Sequence, residues 1–325
     1  MLRANLHDFH RLVLTILALG FVAGCEHGPS DKPVKTKFAG QYPIKVVCTT
    51  GPVADMLRHL GGEHLAVTGL MGPGVDPHLY RVLPDDLDRI DAADIIFYNG
   101  LHLEGRMIEV LEEIGERKRT VAVTQQLVES KDKRLRKPPE FEGYYDPHVW
   151  HSPKIWADCV KYVTSTLIEF DPANRADYES HGKMYLEQLA AADEYCRTEL
   201  NKIPAEQRAL VTAHDAFNYF CVEYGLESMP LKGVSTDMEV SISRMQEVVE
   251  FLVKRKIKAV FVETAVAPKI VEALIEPCRQ AGHEVIIPPP DRELYADALG
   301  SSKSGADTYL GMIKTNVDII VTALK

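Results

Sequence analysis

Two short stretches, Asp76-Pro77-His78-Leu79-Tyr80 and Asp146-Pro147-His148-Val149-Trp150, share the order Asp-Pro-His with an aromatic residue two positions on. Proline fixes φ and favours a tight turn, so each imidazole rides on a constrained loop, which lowers the entropy lost in holding a ligand. Two further candidates lie far along the chain, His214 in Thr212-Ala213-His214-Asp215 and Asp297 in Leu294-Tyr295-Ala296-Asp297-Ala298. Neutral imidazoles with a carboxylate suit borderline first-row ions such as zinc, manganese or ferrous iron. Read singly, each residue also has a plainer explanation. The Asp-Pro-His copies fit structural turns with surface histidines, His214 fits a satisfied core histidine, and Asp297 fits a helix cap.

The elements that must position these residues alternate short β-branched runs with helical periodicity. Strands are expected at Ile44 to Thr50, Leu65 to Leu70, Ile95 to Asn99 and Thr120 to Val123, with helices at Pro52 to Leu60, Pro84 to Ala92 and Glu104 to Glu116. The alternation restarts at Ala209 to Ala213, Glu227 to Leu231, Ala259 to Glu263 and Glu284 to Ile287. Such a pattern predicts α/β architecture, parallel sheets flanked by helices, and it places His78, His214 and Asp297 beyond C-terminal strand ends, where open sheets bind ligands. Gln125 to Asp146 is polar and reads as a long loop, Ser152-Pro153 as a helix start, and Ser243 with Gln246 as a capping box. Ala173 to Asn201 is rich in helix formers without internal proline and reads as one rigid connector between two lobes.

The N-terminus belongs to neither lobe. Arg3 and Arg11 flank a basic region, and the apolar run Leu12 to Val22 stops at Val22-Ala23-Gly24-Cys25, like a secretory leader ending in a lipobox. As a helix that run rises only ~16 Å, too short to span a bilayer. Residues 1–24 are therefore expected to be a signal peptide, 25–43 a lipidated Cys25 with its tether, 44–172 the first lobe, 173–203 the connecting helix and 204–325 the second lobe. The formal charge of −10 over 325 residues argues against nucleic acid as a partner. The remaining cysteines, Cys48, Cys159, Cys196, Cys221 and Cys278, show no CxxC pair and read as buried thiols.

Seven ordered stretches resemble the cluster A-I solute-binding lipoproteins of metal ABC importers, the TroA-like group with its ZnuA-like and PsaA-like branches. They are Gly74 to Tyr80, Asn99 to Arg106, Tyr145 to Trp150, Ala213 to Phe220, Gly233 to Thr236, Glu263 to Lys269 and Leu294 to Gly300. The resemblance implies two α/β lobes joined by a long helix, with His78, His148, His214 and Asp297 binding one divalent manganese, zinc or ferrous ion in the cleft between them. It further implies a monomer, anchored to the membrane through Cys25 on the periplasmic face or cell surface, that delivers the ion to an ABC permease and is not an enzyme. Glu263 is expected either to orient a ligand histidine or to be a buried glutamate with a backbone donor.

Some features depart from that group. The loop Gln125 to Asp146 has no histidine, whereas zinc-specific relatives carry a His-rich acidic loop there, and the manganese branch commonly has Glu where this chain has His214. His151 matches no family ligand and is expected to face solvent or cap the next helix, with competition for the metal as the alternative; His102 is expected to be structural, and His59, His64, His181 and His283 to be solvated. A secreted metallohydrolase is the competing reading, but no HExxH, GxSxG or P-loop pattern is present; a surface adhesin with a structural metal is another. If histidines hold the ion, affinity should fall as pH drops below about 6.

Overall fold

The computed structural model describes residues 37–141 and 143–325, so the leader, Cys25 and most of the tether lie outside the described residues. Strand β1 (Ile44–Cys48) is buried except at Lys45, as befits a central strand, and it pairs in parallel with β2 (Leu65–Gly69) on one side and β3 (Ile95–Tyr98) on the other. With β4 (Thr120–Ala122) the sheet order is β2-β1-β3-β4. The crossovers carry α1 (Gly51–Gly61), α2 (Pro84–Ala92) and α3 (Ile108–Gly115).

The expected helix from Glu104 begins only at Ile108, because Glu104 turns its buried carboxylate back onto the N–H groups of Asn99 and Gly100. The expected loop after β4 opens with a short helix, α4 (Gln125–Glu129). Helix α5 (Pro153–Phe170) starts as expected, with the Ser152 hydroxyl accepting from the Ile155 N–H and proline in the first turn.

Helix α6 (Arg175–Leu200) runs for 26 residues, or ~39 Å at 1.5 Å per residue. Its buried side, Tyr178, Gly182, Tyr185, Leu189, Cys196 and Leu200, recurs at helical spacing and packs on α1, α5 and α11 (Tyr309–Leu324). Gly182 permits the approach of α5: a Cβ there would lie 3.0 Å from the Thr164 hydroxyl oxygen.

Beyond α6 come β5 (Ala209–Leu210), α7 (Asn218–Tyr224), β6 (Glu227–Ser228), α8 (Ile242–Arg255), α9 (Lys269–Glu272) and α10 (Ile275–Gln280), with β5 and β6 parallel. The expected strands at 259–263 and 284–287 form only single parallel bridges, Ala259 to Ile286 and Glu263 to Leu294. Pro288, Pro289 and Pro290 follow directly and supply no N–H donors, so no ladder propagates there. The cap of α8 is Ser241, which accepts from the Arg244 N–H, in place of the expected Ser243. A large core runs without interruption from Ile44 through α5 and α6 to Leu324, and the described residues fall in one compact unit.

Candidate metal centre

The two Asp-Pro-His copies fold into the same turn. Asp76 Oδ1 accepts the backbone N–H of His78 at 2.9 Å, and Asp146 Oδ1 accepts that of His148 at 3.0 Å. His214 follows β5, where its N–H donates to Glu263 Oε1 at 3.0 Å and its carbonyl accepts the Thr212 hydroxyl at 2.9 Å. Asp297 lies just past the Glu263 to Leu294 bridge. The carbonyl before it, that of Ala296, accepts both Trp150 Nε1–H at 3.0 Å and His151 Nε2 at 2.8 Å, which ties the Asp297 segment to the His148 turn.

These turns bring His78, His148, His214 and Asp297 together, each buried and each offering a ligand atom within 4.8 Å of the others. His78 Nε2 and His148 Nε2 are 3.2 Å apart, while Asp297 places Oδ1 3.3 Å from His148 Nε2 and Oδ2 3.2 Å from His214 Nε2 and 3.8 Å from His78 Nε2. The contacts to Asp297 are ion-pair distances and not hydrogen bonds: both its oxygens, and His214 Nε2, are buried without a hydrogen-bond partner. Buried polar atoms are rarely left so, and a cation at the centre would satisfy all three. Three imidazole nitrogens and one carboxylate make four donors, or five if both Asp297 oxygens bind.

The surrounding carboxylates fix which ring nitrogen faces inward. His148 Nδ1 donates to Asp146 Oδ1 at 2.8 Å and His214 Nδ1 donates to Glu263 Oε2, leaving each Nε2 aimed at the centre. Burial opposes a charge on His148, yet Asp146 and Asp297 outweigh it and raise its pKa to about 9. The same opposition is overcome at His214, held well above the usual range by Asp297 and Glu263. Burial would raise Asp297, but the imidazoles of His214, His148 and His78 keep it well below the carboxylate range. His78, where burial dominates, is pushed down to about 3.

Two expectations need correction. His151 is fully buried, neither solvent-facing nor a cap: burial lowers its pKa to about 3, and its Nε2 is spent on Ala296. Its ring stacks obliquely on Phe217 with centroids 4.3 Å apart, and nothing in the local sequence signals that partner. His59, His64, His181 and His283 are half-buried and hydrogen-bonded to Asp55, Asp177, Leu60 and Ile257, not freely solvated. The five cysteines after Cys25 are free and buried.

Residues 46–323 match the family described as the periplasmic component A of zinc-uptake complexes, ZnuA. The manganese-binding lipoprotein MntA of Bacillus subtilis is 41% identical over 283 residues, 87% of this chain and 90% of its own. The zinc-binding protein TroA of Treponema pallidum is 39% identical over 314 residues, 97% of this chain and 98% of its own. A solved structure of that TroA superposes with a TM-score of 0.81 at 40% identity, covering 86% of this chain and 99% of the other. The resemblance read from the seven sequence stretches therefore holds across the described fold, and the chain belongs to the ZnuA family of periplasmic metal-uptake components.

Proposed function

We propose that the chain captures one divalent transition-metal ion outside the cytoplasm and hands it to the permease of an ABC importer, with His78, His148, His214 and Asp297 as the ligands. The observation that carries the reading is the buried convergence of three imidazoles and a carboxylate in which both Asp297 oxygens and His214 Nε2 lack hydrogen-bond partners. The kinship with MntA and TroA, named for manganese and zinc, supports transport and leaves both metals in play, with ferrous iron a third candidate. The two unpaired Asp297 oxygens favour a five-donor set, which suits manganese better than a closed tetrahedral zinc site.

In this reading Cys25 carries the lipid anchor, the protein works as a monomer, residues 44–172 and 204–325 are the two lobes, and 173–203 joins them. The site suits a carrier better than a hydrolase. Glu263 is engaged with His214, and Asp76 with the His78 N–H and the Thr236 hydroxyl, so neither stands ready as a general base.

The test is metal content by mass spectrometry on residues 26–325, purified without a metal-binding tag, stripped, and re-equilibrated against equimolar manganese, zinc and ferrous iron. About one ion per chain, lost in the His78→Ala/His148→Ala double variant, is expected. No bound ion near neutral pH would overturn the reading.

A further inference from the structure

The four converging side chains are not equally held. His148 and His214 each have a second ring nitrogen fixed by a carboxylate, and Asp297 follows a carbonyl pinned by two donors. Apart from its 3.2 Å Nε2 contact with His148, His78 is tied only through its backbone N–H to Asp76, whose other oxygen accepts the Thr236 hydroxyl at 2.6 Å; no hydrogen bond reaches its Nδ1 among the described residues. It is also the most exposed of the four, at 5% against 2% or less. A cavity of about 390 Å³ ends on it and on none of the other three, and that cavity is also lined by His102, Arg106, Glu140, Ser235 and Asp237.

His102 is an odd residue to find there. Gly100, Leu101 and His102 all lie at positive φ, at 86°, 54° and 66°, and for the two non-glycine residues that conformation is strained. Glu104 over-determines the run from beneath, accepting the N–H groups of Asn99 at 2.7 Å and Gly100 at 3.2 Å and the Thr49 hydroxyl at 2.6 Å. The imidazole stacks on Tyr144 with centroids 4.0 Å apart and planes at 14°. A Cβ at position 105 would come 3.2 Å from His102 Nε2, so Gly105 leaves that nitrogen uncovered. No hydrogen bond engages either ring nitrogen among the described residues, and burial lowers the pKa, which keeps a lone pair available.

We propose that the ion reaches and leaves the cluster through this cavity: Glu140 and Asp237 attract it, His102 binds it transiently, and His78, the loosest ligand, takes it over. The ion is still partly hydrated at His102, because among the described residues only the four-residue cluster brings ligand atoms close enough to enclose a bare ion. Arg106 at the same mouth offsets one of the two carboxylates, so the pull is modest. The inference rests on the metal-carrier reading.

A stepping stone lowers the barrier in both directions and leaves the equilibrium alone, which separates it from a ligand of the bound ion. The test uses Zn²⁺ with the intact chain, following association by stopped-flow tryptophan fluorescence, since the Trp150 ring lies 5.2 Å from His148, and release into excess chelator. His102→Gly removes the imidazole at a φ that glycine prefers, so the fold is kept. Both rates are expected to fall about fivefold to tenfold with affinity unchanged, and Glu140→Gln/Asp237→Asn to slow association about threefold at low salt. Unchanged rates in His102→Gly, or weaker affinity with unchanged association, would overturn the proposal. If the wild-type chain binds no ion, the carrier reading itself has failed.

Discussion

If His148 and His214 hold the ion as proposed, a proton and the metal would compete for the same nitrogen on each. Carboxylates raise the pKa of both imidazoles, that of His148 to about 9, which favours protons in competition with an arriving ion. The sign follows directly: raised pKa values mean that affinity falls as pH falls, beginning near pH 9 for His148 and already under way at pH 7, well above the onset near 6 expected from an ordinary histidine. Calorimetry at pH 7 in buffers of differing ionisation enthalpy should return about two protons released per ion; a value near zero would contradict this picture. Glu263→Gln keeps a hydrogen-bond acceptor for His214 but removes the charge. It should weaken binding by about tenfold to a hundredfold without changing stoichiometry, measured by chelator competition. The repeated Asp-Pro-His made two of these residues legible in the sequence, because a turn closed by its own aspartate is a local device. His151 was not legible, since what buries it is a carbonyl 145 residues away.

Helices were easier to read than strands here, and the reason is local sufficiency. A helix such as α6 satisfies its own backbone along one apolar side, whereas 259–263 needed neighbours, and the prolines at 288–290 supplied no donors. Boundaries were lost where a side chain made a different bargain with the backbone, as Glu104 did ahead of α3 and Ser241 did ahead of α8. Packing between elements was invisible in sequence, as at Gly182, the contact point of α5 and α6. Gly182→Leu should drive these helices apart and destabilise the protein by about 1–3 kcal/mol, read as a lower urea midpoint. A midpoint unchanged within error would mean that the contact is slack.

The sequence suggested two lobes on a stiff connector, and it could not show how closely the halves engage. Trp150 and His151 reach Ala296, and the Tyr309 hydroxyl donates to the Trp150 carbonyl at 2.7 Å while the Tyr309 N–H donates to Asp55 at 3.1 Å. With a continuous core and a His/Asp cluster drawn from both halves, the described residues should melt as one unit. A metal at a thousand times its dissociation constant adds about 4 kcal/mol, which for a chain of this size raises Tm by roughly 6 °C in a single transition. Two calorimetric transitions, only one of them moved by metal, would show that the halves unfold independently.

The five buried thiols carry a further consequence for such a chain in an oxidising compartment. Burial raises the pKa of Cys48 and Cys196 to about 12 and shifts Cys159, Cys221 and Cys278 upward as well, so almost none is thiolate while the protein stays closed. Every global opening exposes all five sulfurs at once to oxidants, and a single wrong disulfide forbids return. In such a compartment the working lifetime is set by how often the chain opens, and an ion bound as proposed would, by making that rarer, preserve its own carrier against oxidation.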